Sequence, residues 1–198
     1  MNKTTLQIRK LCLASMLMAV GWLLPLVTGQ IPEIGNMLCP MHIPVFLAGF
    51  ILGPGYAAMI GFLLPLTRFF IFGMPILYPT GIGMMFELLT YGFVSGILYS
   101  LFRRLRMSNI LNVYCSLLLA MLVGRGVWGI TRTLCGLFPN NTFTWKLFLS
   151  GAFITVWPGI ILQFTLIPAI LLGLKRAHLL EPYIDISLKE ENRHICKN

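Results

Sequence analysis

Six predominantly apolar stretches run through this chain between Gly, Pro and Asn breaks. Most approach the roughly 20 residues with which an α-helix crosses about 30 Å of hydrocarbon. With 57% of residues hydrophobic and 11% charged, the composition is far from that of a soluble domain. Strands of a membrane barrel would alternate apolar and polar residues over short segments, and these stretches do not. The sequence therefore predicts an all-α integral membrane protein, a bundle of six transmembrane helices embedded in a lipid bilayer.

The breaks place the helices at about 11–28, 41–52, 56–72, 80–101, 110–137 and 147–174, within a membrane domain of residues 1–180. The stretch 41–52 is short for a span, and it follows the Pro-rich segment Cys39-Pro40-Met41-His42-Ile43-Pro44. Met1 to Thr28 combines a basic start with an apolar run but lacks a small-residue cleavage site, so it is read as a retained first helix. Residues 181–198 read as a polar cytoplasmic tail. No internal repeat is visible, which argues against an inverted-repeat transporter.

Lys and Arg outnumber Asp and Glu by 15 to 6. Their distribution explains the excess: Lys3, Arg9 and Lys10 at the start, Arg103, Arg104 and Arg106 in one loop, and Lys175 and Arg176 after the last span. Six spans put both termini on one side, and the positive-inside rule makes that side cytoplasmic. Aromatic residues do not interleave with the basic ones as in a nucleic-acid surface, so no nucleic-acid partner is expected.

Four ionisable residues fall inside apolar stretches: Arg68, Glu87, Arg125 and Arg132. A charge at such depth costs at least a few kcal/mol unless it meets a partner or a watery cavity, which makes it a functional-site candidate. By helical rise, Arg68 lies roughly 18 Å and Arg125 roughly 22 Å from the inner starts of their helices, with Glu87 about 11 Å below an outer start. Arg125, Trp128, Arg132 and Cys135 share one helix face, as do Glu87 and Tyr91. Together with His42 and Trp157 they predict a chamber with guanidinium groups for a ligand's carboxylate or carbonyl oxygens and rings for its apolar body. A second reading stays open, in which Glu87 pairs with Arg125 or Arg68 as an interhelical lock.

Other chemistries have less support. The five cysteines form no C-x-x-C pair, no cofactor or metal is called for, and neither hydrolase nor phosphate-loop motifs occur. Glu87 and His42 as an acid–base pair would need to reach a common reacting atom, which sequence alone does not establish.

The stretches LCPMHIPVFLAGFILGPG (38–55), LLPLTRFFIFGMP and FELLTYGFVSGILY resemble those of the S components of energy-coupling factor (ECF) transporters, and the similarity extends over nearly the whole chain. The resemblance implies a substrate-binding subunit, not an enzyme, in the plasma membrane of a bacterial cell. It would capture a vitamin, with pantothenate favoured and cobalamin or another vitamin as alternatives, and dock on a transmembrane T subunit with two ATPase subunits. The family's Ala-x-x-x-Ala docking motif has its counterpart in Ser15-x-x-x-Ala19, where small side chains allow close helix approach.

Overall fold

A computed structural model describes residues 3–27, 37–136 and 155–177. Among these the chain forms α1 (Lys3–Val27), α2 (His42–Leu52), α3 (Pro54–Phe72), α4 (Ile82–Arg104), α5 (Asn109–Gly136) and α6 (Trp157–Arg176), with a π turn at Leu77–Gly81 before α4. Five of the helices are long and apolar enough to cross a membrane, and α2 is the short one.

Local sequence sets several of these boundaries. Pro54 opens α3, where a missing N–H costs no intrahelical bond. Gly53, at φ 92° and ψ 175°, supplies the extended positive-φ break, open chiefly to glycine, that separates α2 from α3. Gly73 ends α3 in the left-handed helical region at φ 69° and ψ 3°, its N–H bonding the Phe69 carbonyl. Helix α1 begins at Lys3, about two turns before the expected start near Leu11, because hydropathy marks the apolar part of a helix and not its polar extension. Residues 147–154 and the proposed tail 181–198 lie outside the described residues.

Every residue of α2 is buried. At 1.5 Å per residue it is about 16 Å long, half a bilayer, and α1, α3, α4 and α6 pack against it. Close backbone approach makes this possible. A Cβ on Gly61 would collide with the Leu88 backbone, and one on Gly92 would lie 2.5 Å from the Ala57 carbonyl oxygen, so α3 and α4 touch main chain to main chain. Gly49 admits Ser95 of α4 against α2, and Gly124 of α5 admits the Tyr91 ring. Side-chain bonds fix the outer pairs: Trp22 Nε1 donates to Thr67 Oγ1 at 3.1 Å between α1 and α3, and Asn112 Nδ2 donates to the Tyr99 carbonyl at 3.0 Å between α5 and α4. The outward faces carry Phe70, Phe93, Leu122, Ile130 and Leu134 exposed, as helices facing lipid require.

Candidate ligand-binding site

The centre of the bundle is built around Glu87, which is 2% exposed. Its Oε1 accepts from Tyr91 Oη, one turn along α4, at 2.7 Å and faces Arg125 Nη1 of α5 at 2.9 Å. His42, at the first turn of α2, places Nε2 3.8 Å from the same oxygen. Tyr91 packs against the His42 and Phe46 rings at centroid distances of 5.1 and 4.9 Å. Three helices thus converge on one carboxylate, and the negative charge of Glu87 is balanced by Arg125 within the protein.

A second cluster forms where the chain enters α2. Cys39 has φ 44°, a left-handed conformation uncommon outside glycine. Its carbonyl accepts from the His42 amide at 3.1 Å, from His42 Nδ1 at 2.9 Å, and from Gln163 Nε2 of α6 at 3.5 Å. Non-helical backbone at membrane depth persists only where protein or a water-lined cavity covers it. Here α6 supplies the cover: Gly159 lets it approach the Met37 and Leu38 carbonyls, where a Cβ would lie 2.5 to 2.7 Å from their oxygens. Arg68 reaches the same segment from α3, its Nη1 donating to Met41 Sδ at 3.1 Å.

Further along α5, Arg132 Nη1 donates to Thr80 Oγ1 at 3.3 Å, and its guanidinium lies 6.0 Å from the Trp128 ring. Gly83 of α4 leaves the space that these two side chains occupy. Tyr78 Oη donates to the Cys135 carbonyl at 2.8 Å. Of the residues singled out by sequence, His42, Glu87, Tyr91 and Arg125 come together directly, and Arg68 abuts the chain next to His42. Trp128 and Arg132 form a separate pair between α5 and the start of α4. Trp157, in the first turn of α6, is 59% exposed, unlike the buried residues around Glu87.

Gln163 and the Cys39 carbonyl were not singled out by sequence. A neutral amide in an apolar helix carries little of the cost that flags a charge, and a carbonyl carries no residue-type signal at all. The periodic set Gly159, Gln163 and Ile167, spaced four apart and all buried, was the available clue to an inward face.

For the acid–base alternative, Glu87 and His42 are neighbours, but the carboxylate oxygen nearest His42 is also the one engaged by Tyr91 and Arg125. That arrangement fixes charge and position.

Comparison with curated proteins and with solved structures gave no match in either set. The family model described as "ECF transporter, substrate-specific component" matches residues 9–171, from the first described helix into the last and across both clusters. On this match and its multi-pass helical architecture, the chain belongs to the family of substrate-specific components of ECF transporters.

Proposed function

We propose that this subunit captures a small anionic vitamin from outside the cell, pantothenate first, for uptake driven by ATP hydrolysis in partner subunits. The observation that carries this reading is Arg68. Its one polar contact among the described residues is a thioether, Met41 Sδ at 3.1 Å, so no carboxylate of the described residues faces this guanidinium. A ligand carboxylate would pair with it through the bidentate geometry that guanidinium groups favour. Arg132 and Trp128, a separate pair between α5 and the start of α4, are assigned a second guanidinium and an aromatic face for the ligand, and Trp157 a contact at the mouth. The amide and hydroxyls of pantothenate would then meet the polar residues between Arg68 and Glu87.

A specific observation favours the lock reading for one part of the cluster. Arg125 is committed to Glu87 at 2.9 Å with both side chains buried, so its role in this proposal is to neutralise the carboxylate and hold α4 to α5. Pantothenate binding to the purified protein, measured with and without Arg68→Gln, tests the proposal. Saturable binding that weakens about 30-fold in the variant, near the ~2 kcal/mol of a charge-assisted bond, is the expected result. Unchanged affinity in Arg68→Gln removes Arg68 from the site. Binding of cobalamin or another vitamin in place of pantothenate replaces the substrate while leaving the capture role.

We further assign the Ser15 and Ala19 surface of α1 to the T subunit and both termini to the cytoplasm. Both residues are exposed on the bundle, and the Ser15 hydroxyl is satisfied by the Leu11 carbonyl at 2.9 Å. They leave a small, self-contained surface for a partner helix.

A further inference from the structure

Two buried polar atoms around the Cys39 carbonyl have no hydrogen-bond partner, namely Oε1 of Gln163 and Nε2 of His42. Their side chains are 1% and 2% exposed. Each side chain spends its other polar atom on the same acceptor, the Cys39 carbonyl. A carbonyl only accepts, so Gln163 presents its NH2 to Cys39 and turns its oxygen away, and His42 presents a protonated Nδ1. Both side chains are thus anchored on the Cys39 carbonyl, with His42 Nε2 turned towards Glu87 Oε1 at 3.8 Å. Leaving an amide oxygen buried and unpaired costs free energy that the fold alone does not return. Glu87 does not relieve either atom: its Oε1 lies 3.8 Å from His42 Nε2, too far for a hydrogen bond, and as an acceptor it has no hydrogen to give the Gln163 oxygen.

We propose that Gln163 is a specificity-determining residue whose Oε1 accepts a hydrogen bond from a neutral hydroxyl or amide N–H of the captured vitamin, with His42 Nε2 as the second polar atom of that subsite. This rests on the capture role proposed above and adds to it the chemistry of the ligand's uncharged end. A carboxylate offers no hydrogen to donate and is repelled by an amide oxygen. The subsite thus selects the end of the molecule opposite to the one received by Arg68. The backbone supports this assignment: Gly159 brings α6 against Met37 and Leu38, and Gln163, one turn later on the same face, is thereby placed over Cys39. Donor-bearing ligands would be chosen over isosteres lacking the hydrogen, because the unpaired oxygen penalises the wrong ligand.

The test compares wild type with Gln163→Met, which keeps the length of the side chain and removes its acceptor. Affinity for radiolabelled pantothenate and for analogues methylated at a hydroxyl or at the amide nitrogen is measured on detergent-purified protein, alongside thermal unfolding without ligand. The expected result is an about 10-fold loss of pantothenate affinity in Gln163→Met, with little further loss on one methylated analogue and little change in unfolding temperature, since the variant removes the unpaired oxygen together with the long 3.5 Å bond from Nε2 to the Cys39 carbonyl, two effects of opposite sign. Equal affinity of wild type and variant for pantothenate overturns the inference while leaving the capture reading intact. If wild type ignores pantothenate and binds biotin, riboflavin, thiamine or cobalamin, the pantothenate choice falls. The inference is then decided by the effect of Gln163→Met on that vitamin, a loss supporting it and no loss rejecting it. Failure of wild type to bind any of the five overturns both. A marked drop in unfolding temperature for both Gln163→Met and Gln163→Leu also overturns it, because Gln163 would then be a structural bond and not a ligand contact.

Discussion

At the scale of single residues, the Glu87 cluster divides the intramembrane charges by role. A buried ion pair is weak evidence of net stabilisation, because desolvation offsets attraction, but removing one partner leaves the other charged and alone. Arg125→Gln is therefore expected to lower stability by about 3–5 kcal/mol, and Glu87→Gln by a similar amount. Combining Glu87→Gln with Arg125→Gln should recover much of that loss, since neither charge is then stranded. Thermal unfolding of the three variants in detergent checks the cycle, and additive losses would show that the two residues do not act as a pair. The carboxylate and its partners were legible in the sequence because charge in an apolar run is costly and helical spacing assigns it a face. Glu87 and Tyr91 at i, i+4 meet directly at 2.7 Å. Sequence left open whether Arg125 or Arg68 was the partner of Glu87, since the answer depends on how α3 and α5 are rotated about α4, and no local pattern carries that. Gln163 was missed for the reason its chemistry matters: an amide is neutral, and only its unpaired oxygen in the fold reveals it.

At the scale of elements, the apolar periodicity located the helices, and the glycines decided how near they come. Gly61 and Gly92 bring α3 onto α4, and Gly124 receives Tyr91. Sequence marks such glycines only as breaks or small residues, so the contacts they allow emerge with tertiary structure. Helix α1 differs from the central helices, for Ile8, Leu11, Met16 and Leu23 are exposed alongside Ser15 and Ala19. Lipid would satisfy the large apolar side chains, but small residues on the same surface gain most from a second helix packed closely against them. Replacing Ser15 with Leu should thus leave vitamin binding by the isolated subunit within about twofold, because the residue points away from both polar clusters. It should reduce recovery of the T and ATPase subunits in co-purification by about 10-fold, the effect of ~1.4 kcal/mol lost at a helix contact. Normal recovery with Ser15→Leu would move the docking surface elsewhere on the bundle.

At the scale of the whole molecule, the short α2 sets the depth of the site and the basic residues set its direction. With the Gly53 end of α2 at one membrane face, a length of about half a bilayer would put the turn at Cys39 and the ring of His42 near mid-membrane, where Arg68 and Gln163 reach them from α3 and α6. Which side opens to that level follows from topology. Arg103 and Arg104 close α4, and Lys175 and Arg176 close α6, placements that the helix macrodipole alone would favour. Arg9 and Lys10 lie towards the N-terminal end of α1, where the same dipole disfavours cations, so the retention of positive charge on the cytoplasmic side is the one account that covers all three groups. In the orientation proposed here, the α4–α5 link would lie inside the cell and the Thr80 end of α4, with Arg132 bonded to it, towards the outside. Ser108, exposed in that link, provides the test. With the native cysteines replaced, Ser108→Cys should react with a membrane-impermeant maleimide in inverted vesicles and remain unlabelled in right-side-out cells. Labelling from outside would reverse the bundle, turning Arg132 towards the cytoplasm and making the cluster at Cys39 a release site reached from within, in conflict with capture from the medium.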